Sequence, residues 1–156
     1  MNFLFSCIGR RGYLVDFFQK HLNEEDNIIG TSNTRWTTGF EKCDEGIILP
    51  DILDERYISR LFDVLKEKNI NFLFSFFDLD IFILSKIKKE IEKTGVRAII
   101  PNQTESEICF NKYKTYVFLR KNDFNSPKTY NNIEEISNDL ETGMTNFPMI
   151  IKPKYG

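Results

Sequence analysis

The sequence predicts an α/β fold in which a parallel sheet carries helices on both faces. Three observations support it. The chain opens with a nearly continuous apolar run, 2–8, which is typical of a central strand buried on both sides. A glycine turn and a helical pattern follow this run directly. Further short apolar runs then alternate with helical patterns, as in sheets whose parallel strands are joined by crossover helices.

Turn residues and changes in periodicity bound each predicted element. An apolar stripe at 14–22 has the spacing of one helical face. Pro50 and Pro101 end the third and fifth strands, because proline cannot donate to a sheet ladder. The predicted strands are 2–8, 27–31, 46–49, 71–77 and 97–100, and the helical patterns between them cover 14–22, 58–65 and 83–91. This order predicts a Rossmann-like sheet.

The pattern changes after the fifth strand. The later segments show helices at 104–109, from 112 to about 122 and at 133–140, and short strands at 128–130 and 149–151. The last of these strands is apolar throughout and is expected to be buried. We therefore place a domain boundary near Phe110, with one domain at 1–110 and the beginning of another at 111–156.

Composition excludes several classes of function. A net charge of −2 over 156 residues gives no general case for binding nucleic acid, and no apolar run approaches the length of a membrane span. His21 is the only histidine, and the three cysteines, Cys7, Cys43 and Cys109, lie far apart. A zinc site or a Ser/His/Asp triad is therefore not expected. Free thiols and the lack of a signal peptide indicate the cytoplasm.

The turn after the first strand is the first candidate site. It contains Gly9, Arg10, Arg11 and Gly12 but lacks the three-glycine dinucleotide fingerprint, so NAD is not predicted. The arginines precede a helix N-terminus, which already favours an anion. They are candidates for binding a substrate anion. The alternative is that they are solvated turn residues or pair with nearby acids.

A second candidate follows the fourth strand. Asp78 and Asp80 come directly after 71–77, at the carboxyl end of the predicted sheet, where open α/β sheets bind ligands. Asp78 is the candidate contact for a substrate amine. The safer interpretation is that these acids cap the next helix, since a helical pattern begins immediately after them.

The last residues contain a candidate phosphate contact. The apolar run 149–151 leads to Lys152, and Pro153 and Gly156 follow. A strand that presents a lysine and meets a glycine turn can hold a phosphate, because the ammonium is a compact charge and glycine lets backbone N–H groups approach. Such a segment is more often a plain edge strand. A second lysine, Lys112, strengthens the functional interpretation.

Taken in order, these segments resemble the ATP-grasp superfamily, most closely the branch of the carbamoyl-phosphate synthase large chain and biotin carboxylase. The residues that carry the resemblance are 2–15, 111–119, 126–130 and 147–153. The first is similar to the opening of the domain that precedes the ATP-grasp part. The second resembles the family's Asp-Lys helix, although Asn111 stands where relatives usually have aspartate. Asparagine caps a helix about as well.

The resemblance implies a function and the residues that perform it. Lys112 and Lys152 would contact the phosphates of ATP, and Gly156 would enter a mobile glycine-rich loop. The adenine-binding hinge and the acids that hold magnesium (Mg2+) would lie beyond this sequence. We therefore expect an N-terminal fragment, incomplete for catalysis, of a ligase that activates a carboxylate as an acyl phosphate and joins it to an amine or another nucleophile.

Two other classes of function stay open. One is a non-catalytic α/β module in which Arg10 and Arg11 bind a small phosphorylated or otherwise anionic ligand. The other is a flavodoxin-like receiver, which would need an acidic pair after the first strand and has the wrong chemistry there. Whatever the function, the sequence does not fix the oligomeric state, although the many phenylalanines leave room for a homodimer face.

Overall fold

The computed structural model describes all 156 residues and divides them into two compact units, Met1–Gln103 and Thr104–Gly156. The first unit contains the whole sheet, and the second contains helices joined by extended segments. The domain boundary near Phe110 stays a prediction, since it concerns homologous domains rather than compactness.

The sheet of the first unit has five strands, all parallel. They are β1 (Asn2–Ser6), β2 (Asn27–Ser32), β3 (Glu45–Ile48), β4 (Phe72–Ser75) and β5 (Arg97–Ile99). Their order is β3-β2-β1-β4-β5, so the chain crosses β1 between β3 and β4. The predicted α/β fold class is therefore confirmed. All five predicted strands occur, with their ends shifted by up to two residues.

Helices cover both faces of this sheet. They are α1 (Gly12–Gln19), α2 (Tyr57–Glu67), α3 (Asp78–Lys86) and α4 (Lys88–Lys93), and a short 3-10 helix covers Thr38–Lys42. The single helical pattern at 83–91 was thus wrong in one respect, because the chain is interrupted at Ile87 between α3 and α4.

The alternation of side chains along β1 separates two hydrophobic cores. Leu4 points to the face covered by α2, α3 and α4, whereas Phe3 and Phe5 point to the face covered by α1 and the 3-10 helix. The second core is largely aromatic: the rings of Phe5 and Phe18 lie 4.9 Å apart, edge to face. Such pairs stabilise a core beyond their buried area. The abundance of phenylalanine is thereby explained.

The second unit contains α5 (Gln103–Phe110, whose first residue closes the first unit), α6 (Lys112–Lys121) and α7 (Ile133–Glu141). Asn111 caps α6: its side-chain oxygen accepts hydrogen bonds of 3.1 Å from the N–H groups of Tyr113 and Lys114. The predicted cap is confirmed. No helix of either unit has the length and apolar character needed to cross a membrane.

Two short strands predicted in the second unit are absent. Residues 128–130 and 149–151 adopt no sheet pairing, and Ile150 and Ile151 are 81% and 99% exposed rather than buried. A strand needs a hydrogen-bonded neighbour, and no other strand of this unit lies beside either segment. The only pairing there is an isolated antiparallel bridge between Asn111 and Tyr155.

Candidate functional site

The candidate site is a cleft of about 560 Å³ at the carboxyl edge of the sheet. Its walls come from the segments after β1, β2, β3 and β4 and from Tyr57, the first residue of α2. The chain changes direction across the sheet between β1 and β4, and open α/β sheets bind ligands at such a point. On one wall, Asn33 donates its side-chain amide to Asp51 over 2.9 Å.

The loop between β1 and α1 forms one side of the cleft. Cys7 and Gly9 have φ angles of 50° and 52°, so the chain turns sharply as it leaves β1. The N–H of Cys7 donates to the hydroxyl of Thr31 at 3.2 Å, which joins the loop to β2. The N–H of Gly39, in the 3-10 helix, donates to the carbonyl of Gly9 at 2.9 Å. The loop is therefore held from two sides.

Gly9, Arg10 and Arg11 all line the cleft, so the structure brings three of the predicted substrate contacts together. Arg10 is exposed and Arg11 is half-buried. No carboxylate forms an ion pair with either guanidinium, so these arginines do not pair with nearby acids; the other alternative, that they are solvated turn residues, stays open. Two unpaired guanidinium groups beside a cleft can bind an anion, since arginine matches carboxylate and phosphate geometry.

The structure does not bring Asp78 into the cleft wall, although its neighbours Phe77 and Leu79 line it. Asp78 is exposed and is the first residue of α3. The capping interpretation was wrong, because Phe77 occupies the N-cap position and no side chain accepts a capping hydrogen bond there. A contact between Asp78 and a substrate amine stays a prediction.

Sequence reasoning missed the polar group beneath the cleft. The carboxylate of Asp80 is fully buried, and its Oδ1 accepts a 2.7 Å hydrogen bond from the hydroxyl of Tyr57. That hydroxyl also lies 3.1 Å from the Ser6 oxygen and 3.9 Å from the Cys7 sulfur. A signal existed: Asp80 stands four residues before the buried Leu84, on the same inward face of α3.

Burial changes the acid–base chemistry of this group. It raises the pKa of Asp80 above the ordinary 3.8, because the charged carboxylate loses its hydration and gains only neutral partners. Burial, reinforced by the carboxyl of Asp80, also raises the pKa of Tyr57 and raises that of Cys7 to about 12. Cys43, half-buried against the other face, has its pKa raised to about 11 by burial. Neither thiol is therefore an activated nucleophile.

The predicted ATP contacts lie in the second unit. The ammonium of Lys112 donates to the carbonyl of Gly156, and the N–H of Lys112 donates to the carbonyl of Lys154 at 3.0 Å. The N–H of Gly156 donates to the carbonyl oxygen of Phe110 at 3.2 Å. The structure thus brings Lys112 and Gly156 together. Lys152 is exposed and forms no ion pair. A joint contact of Lys112 and Lys152 with phosphate stays a prediction.

The chain contains no group of three or more histidine, cysteine, aspartate or glutamate side chains that could hold a metal ion. The three cysteines form no disulfide.

Comparison with protein families finds a match to the sheet unit. The family described as "PylC-like, N-terminal domain" matches residues 3–99, which include all or nearly all of every strand. No curated protein matches the sequence significantly.

Three solved structures are similar in fold. Over 99% of this chain, the N5-carboxyaminoimidazole ribonucleotide synthetase of Thermotoga maritima is 20% identical, with a TM-score of 0.65. The L-amino acid ligase of Bacillus licheniformis, over the same share, is 16% identical with a TM-score of 0.71. The biotin carboxylase domain of a single-chain bacterial carboxylase, over 92%, is 9% identical with a TM-score of 0.63. The chain spans 39%, 37% and 35% of these three structures respectively.

Proposed function

The chain belongs to the family of PylC-like N-terminal domains, and from this membership we propose that it forms the leading part of an ATP-dependent ligase of the ATP-grasp type. The observation that carries the proposal is the family match over residues 3–99, which is nearly the whole sheet unit. The fold likeness to a synthetase, a ligase and a biotin carboxylase supports it.

In the proposed reaction, ATP phosphorylates a carboxylate and releases ADP. An amine or another nucleophile then attacks the acyl carbon and displaces phosphate. The contribution of this chain to that step would be positive charge, since phosphoryl transfer depends mainly on positioning and on neutralising developing negative charge. Lys112 and Lys152 would supply it from the second unit, with Gly156 beginning the loop over the phosphates. Magnesium would be held by residues outside this sequence.

The first unit would bind part of the acceptor substrate. Gly9, Arg10 and Arg11 line a cleft whose size suits a small metabolite. The unpaired guanidinium groups favour an anionic end of that molecule, such as a carboxylate. Asp78, exposed at the start of α3, is the proposed contact for an amine.

Binding of ATP tests the proposal. The longer reading frame that contains this chain is expressed, and ATP affinity is measured by calorimetry in the presence of Mg2+. We expect Lys112→Ala and Lys152→Ala each to weaken binding by roughly tenfold, which corresponds to about 1.4 kcal/mol. Lys114→Ala is the matched control, because Lys114 lies on the same helix but pairs with Glu107. Unchanged affinity in both test variants would contradict the assignment, as would a reading frame that stops soon after Gly156.

A second candidate is a non-catalytic module that binds a small anionic ligand. The unpaired state of Arg10 and Arg11 favours it, because anion binding at the cleft needs nothing from the second unit. The two candidates differ in turnover. A module binds the anion without consuming ATP, whereas the ligase releases ADP and phosphate when its carboxylate and nucleophile are both present.

A further inference from the structure

The carboxyl group of Asp80 is anomalous for a fully buried acid. Its Oδ1 accepts the hydrogen bond from Tyr57, but its Oδ2 has no hydrogen-bond partner and no contact with solvent. Native proteins leave few buried polar atoms unpaired, and each one calls for an explanation. A buried oxygen without a partner costs free energy of folding, because it gives up its hydrogen bonds to water and gains none in return.

The groups around Asp80 are all neutral. β1 contributes Ser6, the first residue after β1 is Cys7, α2 contributes Tyr57, and β4 contributes Ser75. Two of these groups titrate, the thiol and the phenol, and both are themselves acids whose charged forms would be negative. No cation is among them. An ionised Asp80 would therefore be a buried charge without a counter-charge, which proteins avoid by keeping such a group protonated.

The carboxyl of Asp80 does not line the cleft itself but is hydrogen-bonded to Tyr57, which does. Tyr57 lines the cleft and donates to Asp80, and Cys7 lines the cleft 3.9 Å from the Tyr57 oxygen. Cys7 also leads into the loop that carries Arg10 and Arg11. A negative charge on Asp80 would therefore oppose an anion bound at that loop, whereas a neutral carboxyl would not.

We propose that Asp80 is a positioning residue of the cleft: it holds the Tyr57 hydroxyl in place and carries a proton when an anion occupies the site above it. The proposal rests on the anion site described under the proposed function and adds the group that couples the site to pH. Reciprocity requires that, if protonation of Asp80 strengthens anion binding, anion binding strengthens the hold of Asp80 on its proton. The proton is transferred from hydronium in the solvent to an oxygen of the Asp80 carboxylate, leaving water and a neutral carboxyl, and no other bond changes.

Sulfate is a suitable probe, because its charge is constant over the range from about pH 4.5 to pH 8.5, in which a raised carboxyl pKa is sought. The chain is titrated with sulfate while backbone amide resonances of Gly9 and Arg11 are followed by NMR. We expect binding at the loop to weaken on the order of tenfold as pH rises through the titration of Asp80. Asp80→Asn, which cannot ionise, is expected to bind sulfate equally well at all these pH values. Asp63→Asn, an exposed change on α2, is the matched control and should keep the dependence.

The carboxyl resonance of Asp80 in the unchanged chain gives a second measurement that needs no variant to fold. Its titration midpoint should lie above the ordinary 3.8 and should rise further in saturating sulfate. If sulfate moves the loop resonances but leaves this midpoint in place, or if Asp80→Asn keeps the pH dependence, the coupling is disproved while the anion site stands. If sulfate does not bind at the loop at all, the anion site itself is disproved, and the coupling with it.

Discussion

The backbone N–H of Gly39 donates a 2.9 Å hydrogen bond to the carbonyl oxygen of Gly9, and a Cβ at Gly39 would lie only 2.7 Å from that oxygen and 2.7 Å from the Ile8 side chain. The 3-10 helix thus contacts the loop of the cleft at a place where no side chain fits. The position of Gly9, and with it that of the two arginines, depends on this contact.

Replacing Gly39 by alanine should therefore disturb the loop. Overpacking of this kind costs about 1–3 kcal/mol, because either the loop or the 3-10 helix must move. We expect Gly39→Ala to lower the free energy of unfolding by that amount in urea titrations and to shift the amide resonances of Gly9, Arg10 and Arg11. Glu41→Ala, an exposed change in the same 3-10 helix, should do neither. A Gly39→Ala chain as stable as the original would show that the loop is not held there.

The hydrogen bond between Tyr57 and Asp80 should contribute to stability. Tyr57→Phe keeps the buried ring but removes the hydroxyl that donates to Oδ1 of Asp80. Both oxygens of the carboxyl would then lack a hydrogen-bond donor, since Oδ2 has none in the original chain. An unpaired buried polar atom costs about 1–3 kcal/mol, so the free energy of unfolding should fall by that amount. The measurement is urea unfolding followed by circular dichroism. Tyr13→Phe, on the exposed side of α1, is the control and should change stability little. Equal stability of the two variants would argue against a role for the bond.

The stability of the first unit should depend on pH through Asp80. Burial raises its pKa in the folded chain above the ordinary 3.8, so between these two values the folded chain keeps a proton that the unfolded chain has lost. The free energy of unfolding then decreases as pH rises. The contribution is complete below about pH 3.8 and is lost as pH passes through the folded-state pKa.

Asp80→Asn removes this dependence and provides the test. Relative to the original chain, we expect the variant to gain stability with rising pH, by about 1.4 kcal/mol for each unit of the pKa shift. Comparing the two chains at each pH cancels the contribution of the other acids, including those whose pKa is lowered by a cationic partner, such as Asp54 beside Arg56. A stability difference that is the same at every pH would show that Asp80 titrates normally.

The cap of α6 yields a prediction for the second unit. Asn111 is buried and accepts two N–H groups, so Asn111→Ala should destabilise this unit by about 1 kcal/mol. Asn111→Asp keeps the accepting oxygen and should be nearly neutral. Thermal unfolding of the two variants separates these outcomes. A large loss in Asn111→Asp would mean that the amide nitrogen, rather than the cap, is required.

Much of this architecture could be predicted because the strands can be recognised from short stretches of sequence. β1 and β4 are apolar on both faces, and proline follows β3 and β5 within two residues. The resemblance to the ATP-grasp superfamily is confirmed by the family match, whereas the closer relation to carbamoyl-phosphate synthase stays a prediction. The grouping of Gly9, Arg10 and Arg11 followed from the rule that ligands bind at the carboxyl edge of a parallel sheet.

What escaped prediction depends on contacts distant in sequence. The role of Gly39 arises from its approach to Gly9, which no local pattern encodes. Asp80 was interpreted as a helix cap, because carboxylates at a helix start usually are, yet the helix turns this one inward. The strand predicted at 149–151 failed for the opposite reason: its apolar residues are suited to a sheet, but a strand forms only beside another.

The burial of two of the three thiols has a practical consequence for chemical labelling. Only a thiolate reacts readily with an alkylating reagent, and at neutral pH Cys7 and Cys43 stay protonated because their pKa values are about 12 and about 11. Cys109 is exposed on α5. A maleimide dye or spin label should therefore attach first to the second unit, leaving the floor of the cleft unmodified and giving a single reporter position without any substitution.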